Sequence, residues 1–100
     1  MPIYNGLNIF LGIIKMIKVS RMADYAILLV CKMSSAENKV YSAHELSTIT
    51  ALKITTISKI LTKLTKANIT NSIRGVAGGY KLMMKADDIS IGDIIDIIDE

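Results

Sequence analysis

Between Ile54 and Leu64 the apolar residues Ile54, Ile57, Ile60, Leu61 and Leu64 recur at steps of 3, 3, 1 and 3, and directly after Asn68 that period stops. The first pattern is one face of a helix. Beyond it the chain runs Ile69-Thr70-Asn71-Ser72-Ile73 with β-branched residues at both ends, then Arg74-Gly75-Val76-Ala77-Gly78-Gly79, then Tyr80-Lys81-Leu82-Met83-Met84. Two extended runs around a glycine-punctuated turn predict a two-stranded hairpin over about residues 69–84. The helix is expected over about residues 53–67, ending where Asn68 can take the left-handed conformation that closes many helices. Its other face carries Thr56, Lys59, Lys63 and Lys66 at steps of 3, 4 and 3. An apolar back with a front of hydroxyls and lysines, followed at once by a basic hairpin, is the layout of a recognition helix and a wing. Such a helix packs inward while its outer side meets phosphates and base edges.

The preceding segment has the partner such a helix needs. Ser42-Ala43-His44-Glu45 is a capping box, with the Ser hydroxyl accepting from the amide three residues on and the Glu reaching back. A short helix should therefore start near Ala43. The run Leu46, Ala51, Leu52, Ile57 and Ile60 has helix-turn-helix intervals, with Ser47 and Ala51 as the small residues and Ala51 replacing the usual turn glycine. A generic pair of antiparallel core helices has the same pattern. Upstream, Ser20 as N-cap and Asp24 in the first turn open a helix over about 21–34, with Tyr25, Leu28, Leu29 and Met33 at helical spacing. Residues 34–39 read as a loop and Val40-Tyr41 as a short strand. At the other end, Ser90 caps an acidic helix over about 91–99. It carries Ile91, Ile94, Ile95 and Ile98 against Asp93, Asp96 and Asp99. Those isoleucines either cover the core or form part of a dimer face. The fold class expected is α+β, mainly helical: a winged helix-turn-helix with a two-stranded wing.

Charge is split along the chain. All 12 Lys and Arg lie between Lys15 and Lys85, so residues 1–85 carry a net +9 and residues 86–100 a net −6. From Leu46 to Ala86 there are seven cations and no carboxylate. A single-sign block of that kind points to a polyanion, and nucleic acid is the first partner to test. The lone Cys31 and lone His44 exclude a disulfide framework and a cysteine-rich metal site. Cys31 is expected to be a small core residue and His44 a surface one. A reducing, cytoplasmic compartment is expected. No apolar run approaches the roughly 18 residues a spanning helix needs. Acid–base or nucleophilic catalysis has no pair of groups to work with, so an enzyme is not expected. The glycines after Arg74 are not followed by the Lys and Ser/Thr of a phosphate loop, which disfavours a nucleotide site. Residues 1–15 have no charge before Lys15 and no basic n-region. They read as an N-terminal extension ahead of a natural start at Met16, or as an apolar strand or helix packed on the domain of residues 16–100.

Taken together, Met16-Ile17-Lys18-Val19-Ser20-Arg21-Met22-Ala23-Asp24-Tyr25-Ala26, the capping box at Ser42, Lys59-Ile60-Leu61-Thr62-Lys63-Leu64 and Ile73-Arg74-Gly75-Val76-Ala77-Gly78-Gly79-Tyr80-Lys81-Leu82 resemble the IscR/NsrR family of Rrf-type winged helix-turn-helix transcription regulators. The opening is most similar to regulators of iron–sulfur cluster assembly genes. The resemblance implies a dimer on a palindromic, A·T-rich duplex, with the recognition helix in the major groove and the wing in the adjacent minor groove. It places Thr55, Thr56, Ser58 and Lys59 at bases or nearby phosphates and Arg74 in the minor groove from the base of the hairpin. Ser20, Arg21, Lys63 and the amides of Gly78 and Gly79 are phosphate candidates, and Tyr80 supports the hairpin. The family continues into three closely spaced cysteines that hold an iron–sulfur cluster and a long dimerisation helix. Neither is found up to Glu100, so the expectation is a regulator with no cofactor and no metal site. It would act as a homodimer or with a full-length family member. The competing reading is a truncated paralogue that does not bind DNA and docks on a full-length regulator through Ile94, Ile95 and Ile98.

Overall fold

A computed structural model of the chain describes residues 21–99. The expectations for residues 1–15 and for Ser20 lie outside them. The elements are α1 (Arg21–Met33), α2 (Ala43–Thr50), α3 (Ile54–Lys66), β1 (Thr70–Ile73), β2 (Gly79–Leu82), a single 3-10 turn (Ala86–Asp88) and α4 (Ile91–Asp99). No helix among the described residues is long and apolar enough to cross a membrane.

The core is built on the inner stripe of α3. Ile57, Ile60, Leu61 and Leu64 are fully buried, together with Leu46 of α2 and Ala23, Ala26 and Leu29 of α1. Ile54, counted on the same stripe, is 45% exposed because it starts the helix beyond the edge of the core. In α1 the buried stripe is Ala23, Ala26, Leu29, Val30 and Met33, rotated from the expected one. Tyr25 is only half-buried and Leu28 is exposed. Two alanines on the inner side let neighbouring elements approach closely, and a reading weighted by side-chain size passes over them. The same rotation puts Cys31 on the outside, so it is exposed and not a core residue.

Ile94 and Ile98 of α4 are buried against this core, with Ile95 half-buried and Ile91 exposed. They close the domain, chiefly over α1 and α3, so Ile94, Ile95 and Ile98 do not form an open docking face. Ser90 holds the start of α4, its Oγ accepting from the Asp93 amide at 3.3 Å.

The turn between α2 and α3 is held by its own hydroxyls. Ser47 Oγ donates to the Leu52 carbonyl (2.6 Å), Thr50 Oγ1 donates to the Leu46 carbonyl (2.7 Å), and the Leu52 amide donates to Thr50 Oγ1 (3.3 Å). Ser42 caps α2 by accepting from the Glu45 amide at 2.9 Å. Only that half of the capping box forms. Glu45 turns away to pair with Lys39 (2.9 Å), whose ammonium lies 4.6 Å from the Tyr41 ring centroid. The Glu45 hydrogen bond, more than its field, holds the Lys39 ammonium above its ordinary pKa.

Ala51 closes α2 at φ +61, the left-handed region, with its amide on the Ser47 carbonyl (2.8 Å). A Cβ there costs roughly 1–2 kcal/mol relative to glycine, while glycine loses about 0.4–1 kcal/mol through the unfolded chain. Ala51→Gly should therefore stabilise the domain by about 0.5–1 kcal/mol, read as a higher urea midpoint at unchanged slope.

Candidate nucleic-acid interface

The α3 helix runs with one side in the core, so the residues half a turn away face out. These are Thr55, Ser58, Lys59, Thr62 and Lys66, all exposed, while Thr56 is half-buried at the flank. Thr62 spends its hydroxyl on the Ser58 carbonyl (2.7 Å), which leaves Thr55, Ser58 and the lysines for contacts outside. Lys53 stands at the N-cap position and, having no acceptor, leaves the first-turn amides of α3 without a side-chain cap. Those amides and the lysine charge suit an anion at that end. Lys53 and Lys66 belong to this surface as much as Lys59 does. Lys66 was visible on the outer face by its spacing, whereas the exposure of Lys53 depended on where the helix begins.

The hairpin pairs Thr70 with Leu82, Asn71 with Lys81, Ser72 with Tyr80 and Ile73 with Gly79. It is joined tightly to α3. Asn68 is left-handed at φ +63, the Ile69 amide donates to the Leu64 carbonyl (2.9 Å), and buried Thr70 shares a hydroxyl contact with Thr65 (2.8 Å). The expected strand at Val40-Tyr41 is a single bridging residue. Tyr41 and Tyr80 exchange both backbone hydrogen bonds, at 2.8 and 2.7 Å, and so dock the free edge of β2 on the body of the domain. Tyr41 is buried, its hydroxyl donating to the Lys32 carbonyl at the end of α1 (3.2 Å). Tyr80 is half-buried against the core and has the supporting part expected of it.

Arg74 is exposed and follows Ile73 directly, in the turn that links the strands; it lies at the tip of the hairpin, not at its base. Gly78 and Gly79 are not free phosphate donors. The Gly78 amide donates to the Gly75 carbonyl (3.0 Å). Since the polar groups of Tyr80 turn to Tyr41, the alternation of an antiparallel ladder turns those of Gly79 to Ile73. Both glycines serve close approach: a Cβ on Gly78 would collide with the Ile73 carbonyl oxygen, and one on Gly79 with that of Tyr41. Arg21 is exposed at the first position of α1. Lys63 has a partner within the fold, donating to the Ile98 carbonyl at 2.7 Å.

Among the described residues the Lys39–Glu45 pair is the only ion pair, so Lys53, Lys59, Lys66 and Arg74 meet no carboxylate there. The four cations lie on one continuous helix-and-hairpin unit. No three His, Cys, Asp or Glu side chains among the described residues come together as a metal site. These residues do not fit a metal cluster.

Residues 19–100 match the family model of Rrf2, described as an iron-dependent transcriptional regulator. The HTH-type transcriptional regulator IscR of Vibrio cholerae is 34% identical over 82 residues, covering 82% of this chain and 43% of that protein. The IscR of Cereibacter sphaeroides is 27% identical over 86 residues, covering 83% of this chain and 56% of that protein. The solved structure of T. potens IscR has a TM-score of 0.75 to this fold at 25% identity, covering 82% of this chain and 61% of that one. The chain thus spans about half the length of the curated relatives it matches, and those relatives are transcriptional regulators, not enzymes.

Because Gly79 admits the Tyr41 carbonyl, Gly79→Ala should separate the wing from the body. The expected cost is about 1–3 kcal/mol of stability, with loss of amide-exchange protection at Tyr41 and Tyr80 while α1 and α3 stay protected.

Proposed function

The chain belongs to the Rrf2 family of transcriptional regulators, and on that footing we propose that it is the DNA-reading module of a sequence-specific regulator. The α3 helix enters the major groove, Thr55, Thr56 and Ser58 lie at the base edges, and Lys53, Lys59 and Lys66 lie along the phosphates. Arg74 at the hairpin tip enters the neighbouring minor groove, where narrow A·T tracts concentrate negative potential. The observation that carries this reading is the set of four exposed cations without carboxylate partners among the described residues, on a helix and hairpin held in fixed relation by the Tyr41–Tyr80 pair. Unpaired cations repel one another in the free protein and are relieved when phosphates replace the counterions of the duplex.

One such unit covers one half-site, so the operator is a palindromic, A·T-rich duplex bound by two copies, or by one copy with a longer family member. The genes controlled are those of iron–sulfur cluster assembly, a reading that rests on the resemblance of the segment Arg21-Met22-Ala23-Asp24-Tyr25-Ala26 to regulators of such genes. The family description implies iron, but the described residues do not supply a donor set. No step of the recognition proposed for these residues passes through such a group.

The test is fluorescence anisotropy on a labelled A·T-rich palindrome and a scrambled duplex, across a salt series. Wild type should prefer the palindrome with a steep salt dependence. Arg74→Ala should lose about 1–3 kcal/mol on the palindrome and much less on the scrambled duplex. Lys59→Ala should weaken both alike and flatten the logarithmic salt slope by about 0.9. Equal, weak binding to both duplexes by wild type would refute sequence-specific recognition.

A further inference from the structure

The contact between Lys63 and the end of α4 joins the DNA-facing helix to the last element of the described fold. Lys63 lies on the flank of α3, between the outward strip and buried Ile60, and its Nζ reaches 35 positions along the chain to the carbonyl of Ile98, at 2.7 Å. That carbonyl is one of the last four of α4, which have no partner inside their own helix. The last turn of α4 contains no basic residue. It carries Asp96 and Asp99, whose negative charge is unfavourable at the negative end of a helix dipole. One carboxylate oxygen of Asp99 is buried with no hydrogen-bond partner among the described residues. The cation that α4 lacks is supplied from α3. Around this contact Met22, Ile60 and Ile98 form the apolar floor of a groove of about 520 Å³, with Lys59, Lys63 and Lys66 at its side.

We propose that Lys63 is a positioning residue, not a phosphate contact: it ties α3 to the C-terminal end of α4, so that the state of the chain at Ile98 sets the pose in which α3 meets DNA. This rests on the reading of α3 as the DNA-contacting helix. The link acts in both directions. If α4 frays or shifts at its last turn, Lys63 loses its acceptor, α3 loses a tether on one flank, and the strip of Thr55, Ser58, Lys59 and Lys66 is no longer held at one angle. Conversely, DNA that orders α3 stabilises the end of α4, since coupling between two sites is reciprocal.

The experiment uses the full chain with two readouts. Amide exchange by NMR at Ile94–Asp99, measured without DNA, reports the brace; anisotropy on the palindrome across salt reports recognition. In Lys63→Met, exchange over the last turn of α4 should speed up about tenfold, as expected for loss of a charge-assisted hydrogen bond. Affinity for the palindrome should fall several-fold while the salt slope stays at the wild-type value. Lys63→Arg, which can still donate to the Ile98 carbonyl, should restore both. Lys59→Met is the contrast, with a slope flatter by about 0.9 and unchanged exchange in α4. The proposal is overturned if Lys63→Met flattens the slope by that same amount with α4 exchange unaltered, which would make Lys63 a phosphate contact. It is equally overturned if exchange speeds up and affinity does not move. Should wild type fail to bind any duplex, the DNA reading fails and the positioning role falls with it, while faster exchange in Lys63→Met would still establish the tether.

Discussion

The two backbone hydrogen bonds between Tyr41 and Tyr80 are the constraint on which the arrangement of the interface depends. A two-stranded hairpin by itself is marginal in water, and β1 and β2 are four residues each. Beyond its junction with α3, this one is kept in place by a third edge contact, from a residue whose ring is buried and whose hydroxyl is tied to the end of α1. That contact requires backbone to approach backbone, and Gly79 is the place where a side chain is missing to allow it. Without the contact, the outer strand that leads back from Arg74 would have no edge partner on the body of the domain. With it, the angle between hairpin and α3 is set by the core.

The second organising feature is the separation of charge. The cations of α3 and the wing face outward without carboxylates, and the carboxylates of the C-terminal segment are gathered in the 3-10 turn and α4. The two sets meet at one described point, the Lys63 ammonium on the Ile98 carbonyl. That contact is to a helix end, not to a carboxylate. Basic charge is therefore not neutralised by the acidic helix, and the outward strip of α3 keeps its field. Covering the core with Ile94 and Ile98 while sending Asp93 and Asp96 to solvent lets α4 serve as a lid without lying across the basic face.

Much of this was legible in the chain itself, for identifiable reasons. The inner stripe of α3 from Ile57 to Leu64, the left-handed Asn68 and the presence of the hairpin follow from local periodicity and from residue types that suit few conformations, whereas the register of the hairpin came from the fold. Ala51 was recognisable as the turn residue of a helix-turn-helix even though it is not glycine, because the flanking intervals suit a bend there, although a generic helix pair has the same pattern. The stripe of α1 differs from the expected one, and Cys31 with it, because two alanines contribute little to an apolar reading yet are fully buried. Gly78 and Gly79 were legible as glycines that matter. Their reason was not: the atoms they make room for belong to the turn and to Tyr41, which is separated from Gly79 by the whole of α2, α3 and β1. Lys63 lay among other lysines at the same helical spacing, and nothing in that spacing distinguishes an ammonium facing solvent from one on a distant carbonyl.

The sequence by itself determined the four helices and the hairpin, their order, the basic character of the helix-and-hairpin unit and the resemblance to a family of regulators. These depend on neighbours within a few positions, where amphipathic period, capping and turn chemistry act. Only the tertiary structure decided which lysines remain free, that Arg74 stands at the tip of the wing, that the glycine amides are already bonded, and that the isoleucines of α4 belong to the core. Each of those is a contact between residues far apart in the chain, and it is set by how the helices pack around Ile57, Ile60, Leu61 and Leu64 rather than by any local preference.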